Sequence, residues 1–323
     1  MKKILVVRFS SIGDIILTSP VVRCIKTQRP EIEIHYLIKQ KFASIVETNP
    51  NIDKVYTIEK DIGEVMVDLK NEAYDFVVDL HQNLRTKRLK LALRKPSRSF
   101  PKLNFKKFLL TNFKVNTMPK IHIVDRYFKP VKILGIKNDL KGLDYFIPSH
   151  DLVNPVDYNI PTNYIVYAIG AQYATKKMPL EQIIGLISRL SSTPFVLLGG
   201  EMDKKEGKQI AAQCQNVIDL CGQLNLNQSA SLIQQADKVI THDTGLMHIA
   251  AAFQKPIISI WGNTSPDLGM YPYLPQENSV FSMHEVDGLK CRPCSKIGYQ
   301  KCPKGHFDCM VKQDLEQIAQ DLR

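Results

Sequence analysis

A chain of 323 residues is too long for one ordinary hydrophobic core and predicts two domains of roughly 150 residues each. Apolar residues at 44% and charged residues at 23% describe a soluble globular protein, and no stretch approaches the roughly 18 uninterrupted apolar residues of a membrane-spanning helix. Net charge is +11, so an acidic partner or a heavily solvated basic surface is expected. The opening MKKILVVRFSS places two lysines before an apolar run, but Arg8 cuts that run at four residues, well short of a signal-peptide core. The protein is therefore expected to begin here, in the cytoplasm, with any membrane contact peripheral.

The first half alternates short β-branched runs with segments of helical periodicity. Residues 4–9, 31–38, 54–58 and 74–80 read as strands, which makes a βαβ series and a parallel sheet. Residues 148–161, rich in Pro, Asp and Asn, read as the linker, and the alternation then restarts. Strands are expected at 164–170, 195–200, 216–222, 238–243 and 256–262, with helices at about 180–191, 203–214, 227–236 and 245–253. The fold class is α/β: two Rossmann-like domains, 1–155 and 156–323, facing each other across an expected cleft. No sequence repeat relates the halves.

The charge is uneven. From Asn83 to Val124 there are twelve Lys and Arg residues and no acid. Either this is a solvated face, or it meets nucleic acid or a phosphate-rich membrane surface. Leu89, Leu91, Leu93, Phe100, Leu103, Phe105, Phe108, Leu109, Leu110 and Phe113 are interleaved with the cations, which suits an interfacial surface and ordinary core positions equally.

The stretch FSSIGDIILTSP puts Asp14 just after the first strand, where chains of this layout usually leave room for a phosphate. Asp14 is either a helix cap or a working acid. In the second half, DTGLMH follows the strand KVITH; Asp243 and Thr244 are placed to cap a helix, Gly245 lets a ligand approach the backbone, and His248 lies one turn in. Lys176 and Lys177 follow the strand YIVYAIG, and Glu201 follows the glycine pair of LLGGE, suited to accept from ribose hydroxyls. Each has a plain structural alternative as a cap, a loop lysine or a helix opener. There is no GxGxxG after the first strand, no GxxxxGK[ST] and no Asp-x-Asp pair, so phosphate charge would be met by lysine and helix amides rather than by a metal. Cys291, Cys294, Cys302 and Cys309, spaced C-x2-C-x7-C-x6-C with His306 nearby, read as a structural zinc site or as reduced thiols. Cys24, Cys214 and Cys221 read as core residues.

Taken in order, RFSSIGDIILTSPVVRCIKTQRPEIEIHYLI, YAIGAQYATKKMP, LLGGE, THDTGLMHIAAA and SIWGNTSP make the chain resemble the bacterial heptosyltransferases, glycosyltransferase family 9, over essentially its full length. The CRPC and CPKGHFDC segments look like the tail of second-heptose transferases. The resemblance implies a GT-B fold and an inverting, metal-independent transfer from a nucleotide-sugar donor, ADP-heptose, to an anionic lipid-linked glycan acceptor. That acceptor would be the inner core of lipopolysaccharide at the cytoplasmic membrane face. It also implies Asp14 as general base, with Ser10, Ser11 and Gly13 on the acceptor side. Lys176 would meet the diphosphate, with Lys177 as a second candidate; Glu201 would meet the ribose, Leu224 the adenine, and Asp243, Thr244, Gly245 and His248 would form the donor loop. Arg85 and Arg88, in the basic stretch, are the candidates for the acceptor's phosphates. Met178 departs from the Trp that often stands in this family before the proline of K-x-W-P.

A base at Asp14 would gain strength from partial burial or a poor supply of hydrogen bonds, and Arg8 would work against it. The alternatives are the same fold moving another nucleotide-activated sugar, a basic zinc-bearing nucleic-acid-binding protein, and a catalytically silent adaptor. The second leaves DTGLMH and LLGGE unexplained, so no nucleic acid is expected as partner.

Overall fold

The computed structural model describes residues 1–276 and 280–323. The chain folds into two units, Met1–Lys102 with Ile121–Phe146, and Leu103–Lys120 with Ile147–Arg323. This division differs from a single cut after residue 155. The linker is drawn into the second unit because Asp151 is buried there and accepts from the side-chain amides of Asn225 (2.8 Å) and Asn227 (2.9 Å). Residues 103–120 also belong to it: Lys114 Nζ donates to Pro293 O (2.7 Å) and Asn116 Nδ2 to Asp267 Oδ2 (2.9 Å).

The first unit holds a parallel sheet of β1 (Lys3–Val7), β2 (Glu33–Lys39), β3 (Lys54–Ile58), β4 (Phe76–Asp79) and β5 (Ser97–Ser99), in the order β3-β2-β1-β4-β5. Ile4, Leu5, Val6 and Val7 are all buried, because a central parallel strand is covered on both faces and so reads as a continuous apolar run. β5 has the sequence SRS on the sheet edge and leaves no such run, which hides it from a pattern reading. Chain order reverses between β1 and β4, where Val7 lies opposite Asp79; at such a reversal the loops after the two strands run to opposite sides, which is where a doubly wound sheet opens.

The second unit holds β6 (Ile165–Ala168), β7 (Phe195–Leu198), β8 (Val217–Asp219), β9 (Lys238–His242), β10 (Ile257–Ile260) and β11 (Phe281–His284), all parallel, in the order β11-β10-β9-β6-β7-β8. Its reversal lies between β6 and β9, with Ala168 opposite Thr241. The four expected helices are present as Leu180–Ser188, Lys204–Ala211, Leu226–Gln235 and Gly245–Ala252. A final helix, Leu315–Leu322, inserts Ile318, Ala319 and Leu322 into the core built on Tyr167, Phe195, Leu197 and Ile240. Among the described residues no helix is long and apolar enough to cross a membrane.

Candidate functional site

The opening after β1 is built around one buried guanidinium. Arg8 Nε donates to Ser10 O (2.7 Å) and Nη1 to Leu80 O (2.5 Å), so the loops after β1 and β4 are tied across the reversal. Its Nη2 pairs with Asp14 Oδ1 at 2.7 Å. Burial opposes the Arg8 charge, and Asp14, with Tyr127 and Tyr36, overcomes that opposition and raises its pKa. Asp14 sits in the first turn of the helix Ile12–Ile16, whose N-cap is Ser11. Ser11 Oγ donates to Asp14 Oδ2 (2.8 Å), and Tyr127 Oη lies 3.4 Å from Oδ1. Asp14 is thus a cap-box acid whose half-buried carboxylate keeps some contact with solvent. A poor supply of hydrogen bonds is not what tunes it. Arg8 and Ser11 fix its orientation.

The neighbours differ in reach. Ser11 is exposed and Ser10 half-buried, whereas Gly13 is buried inside the helix and offers its carbonyl to Leu17 N (2.9 Å). On the helix Leu84–Leu93, Arg88 is exposed and Arg85 lies over the Phe9 ring, 5.6 Å from its centroid. Burial, with Arg8 and Lys102 nearby, pushes the His81 imidazole down to about 4, so it is neutral at ordinary pH.

The opening between β6 and β9 carries the inverse arrangement. Lys176 Nζ pairs with Asp243 Oδ2 at 2.6 Å and reaches Asp243 O at 3.1 Å, joining the loops after the two strands. Thr264 Oγ1, after β10, donates to the same Asp243 Oδ2 at 2.9 Å. Asp243 is thus committed to Lys176 and Thr264 rather than to capping. Thr244 holds the N-cap position of Gly245–Ala252 without a side-chain capping bond, which leaves the first amides of that helix to other partners. His248 is buried one turn in.

The two adjacent lysines go separate ways. Lys177 Nζ pairs with Asp203 Oδ1 (2.8 Å) and with Glu206, and Asp203 Oδ2 accepts from Gly200 N (2.8 Å). Lys177 thereby fastens the loop after β6 to the start of the helix after β7, away from Asp243. A Cβ on Gly170 would come within 2.4 Å of Asp203 Oδ2, so close approach of these loops requires glycine there. Glu201 projects outward, its side chain 75% exposed and paired with Lys204 at 2.7 Å, while Leu224 is half-buried in the turn before Leu226–Gln235. Met178 is core: its N donates to the buried His242 Nε2 (3.1 Å) and its sulfur accepts from Tyr167 Oη (3.5 Å). Burial, aided by Lys177, lowers the His242 pKa to about 3.

The cysteine segment supports these loops. Arg292 Nε donates to Gly262 O and its Nη2 to Thr264 O (2.9 Å), Cys294 N donates to Asn263 O (2.8 Å), Thr175 N donates to Tyr299 O (3.0 Å), and Tyr299 N donates to Thr175 Oγ1 (2.8 Å). Among the described residues no three of the four thiols come together as a bound zinc would need. Zinc held by four thiolates at about 2.3 Å keeps neighbouring sulfurs within about 4 Å. Among the described residues the only three potential ligand atoms within 4.8 Å of one another belong to Glu33, His35 and Glu72. Cys291 Sγ lies 3.9 Å from His306 Nε2, and burial pushes the Cys309 thiol up to about 12 and raises that of Cys294. At the acidic trio lysines already supply the cation: Glu72 pairs with Lys3 (2.5 Å) and Lys54 (2.7 Å).

Sequence reasoning did not single out Tyr127, Thr264 or Arg292. Thr264 was within reach, since SIWGNTSP ends a strand in the same way as the other site loops.

Similarity to known proteins agrees with this geometry. "Lipopolysaccharide heptosyltransferase 1" of Campylobacter coli is 25% identical, over 81% of this chain and 84% of the relative. The solved glycosyl transferase family 9 protein from Veillonella parvula superposes with a TM-score of 0.78 at 22% identity, covering 99% of this chain and 96% of that one. E. coli ADP-heptose lps heptosyltransferase II superposes with a TM-score of 0.73 at 19% identity, covering 99% and 97%. These likenesses identify the two Rossmann-like units as a GT-B fold. The sequence profile of glycosyltransferase family 9 (heptosyltransferase) matches residues 62–298, and with two parallel-sheet units and a charged opening in each, the chain is a glycosyltransferase that belongs to this family.

Proposed function

We propose that this enzyme transfers heptose, with inversion, from ADP-heptose to the inner core of lipopolysaccharide. The observation that carries the reading is the pair of openings: a carboxylate oriented by Arg8 at the end of β1, and a lysine–acid pair beside a helix start without a side-chain cap at the ends of β6 and β9. The named relatives, which carry heptosyltransferase and ADP-heptose in their descriptions, select the sugar and nucleotide.

In this reading the acceptor hydroxyl gives its proton to Asp14 as its oxygen attacks the anomeric carbon, and the bond to the diphosphate breaks on the opposite face. Lys176 and the amides at Gly245 meet the charge that grows on the leaving diphosphate. Ser10, Ser11, Arg85 and Arg88 face the acceptor, and Glu201, Leu224, Thr244 and His248 serve the nucleoside side of the donor. The acceptor is lipid-linked and anionic, so the enzyme works at the cytoplasmic membrane surface.

The test is turnover with a panel of nucleotide sugars and a deacylated inner-core acceptor, the product's anomeric configuration being read by NMR. ADP-heptose is expected to give an inverted product. Transfer from a UDP or GDP sugar with none from ADP-heptose would replace the heptose reading by another transferase of the same fold.

A further inference from the structure

Residues 103–120 lie outside both openings. They carry four lysines and no acid, and they fold with the second unit although the chain on either side belongs to the first. Leu110 is 3% exposed and anchors the segment, together with the Lys114 and Asn116 bonds described above. Its three phenylalanines turn outward: Phe105 is 72% exposed, Phe108 51% and Phe113 63%.

The backbone makes these rings one face. The α-helical turn Asn104–Phe108 passes directly into a π-helical turn, Leu109–Phe113. In a continuous α-helix a residue five places on points about 140° away. The wider π turn brings it back beneath its predecessor, and the Phe108 and Phe113 rings meet edge-on with centroids 5.7 Å apart. Phe105, one α-helical turn before Phe108, shares that side. Three exposed phenylalanines in nine residues, bordered by Lys106 and Lys107, form the kind of apolar surface that persists because something covers it.

We propose that this turn is a membrane-docking element, its rings entering the headgroup boundary of an anionic bilayer while its lysines meet the lipid phosphates. Charge selects the occupant: a second copy would bring the same lysines against these, whereas anionic headgroups neutralise them. Aromatic rings beside lysines are the side chains that partition into that boundary. The choice of a membrane rests on the lipid-linked acceptor proposed above; the surface itself rests on the geometry of the segment.

The experiment is sedimentation of the full chain with large vesicles of phosphatidylethanolamine and phosphatidylglycerol, set against vesicles of phosphatidylcholine alone. Wild type is expected to bind the anionic vesicles selectively and to weaken with salt. The combined F105S, F108S and F113S variant should bind about tenfold or more weakly. ADP binding and turnover on the deacylated acceptor, measured on the same variant, should match wild type and show that it is folded. Absence of wild-type binding, equal binding to phosphatidylcholine, or undiminished binding by the variant would overturn the proposal. So would a wild-type dimer in sedimentation velocity that the variant converts to monomer while its vesicle binding persists. If vesicle binding behaves as expected but no ADP-heptose is turned over, the docking surface stands and the heptosyltransferase reading falls.

Discussion

The two sheets reverse strand order in the same way, and each sets an ion pair there, differently covered in the two units. In the first unit the cation is the buried partner: the Arg8 side chain is 8% exposed and Asp14 20%. In the second the two partners are almost equally covered, Lys176 at 16% and Asp243 at 13%, and Thr264 holds the acid from behind. An ion pair at a sheet reversal thus does not by itself name the working group. Under the proposed function the carboxylate would be the working group in one unit, and in the other an incoming phosphate would take over the lysine of the pair.

The contrast breaks most sharply at Asp14. D14N keeps the shape and removes the proton acceptor, so transfer should fall by about a thousandfold, within the range for loss of a general base, while ADP affinity measured by calorimetry stays put. Near-normal turnover would remove Asp14 from the chemistry. K176A should act in the other unit, weakening ADP binding roughly 10- to 100-fold, the range of a lost charged hydrogen bond, and lowering the rate with it. A variant that changes only rate would show that the lysine does not hold the diphosphate in the ground state.

Acid should sharpen the comparison through the histidines beside each opening. His242 is held at about 3 in the fold, against about 6.5 when unfolded, so between those values the unfolded chain binds the extra proton. The stability due to neutral His242 is fully present above about 6.5 and is lost as pH falls toward 3, by about 2 kcal/mol at pH 5. Melting curves at pH 7 and pH 5 should show the loss, and H242Q should flatten the pH slope. His81, held at about 4, contributes in the same direction from the first unit.

The smallest effect separates the adjacent lysines. K177M should lower stability by about 1–2 kcal/mol, because Asp203 loses its partner in a partly buried place, while ADP affinity moves far less than in K176A. If both lysine variants weaken ADP equally, Lys177 also belongs to the donor site.

The strand ends were legible because β-branched runs ending in Gly or a small polar residue mark the carboxyl edge of a parallel sheet, and Asp14, Lys176 and Asp243 all follow such runs. What joins them was not legible. The Arg8–Leu80 bond spans 72 residues and the Arg8–Tyr127 bond 119, and no local pattern encodes such closures. Adjacent Lys176 and Lys177 are chemically identical in sequence, and only the packing of Asp203 separates them. β5 and β11 escaped because short edge strands carry little of the apolar signal that central strands cannot avoid.

The cysteine segment also bears on how the enzyme comes into being. Thr175, Gly262 and Thr264 are braced by Tyr299 and Arg292, Met310 packs against Gly262, and Gln313 Nε2 donates to Trp261 O at 3.2 Å. The loops that would receive the nucleotide are made long before the residues that brace them. A chain that has completed the sheet through β10 still lacks these braces until residues 291–313 follow.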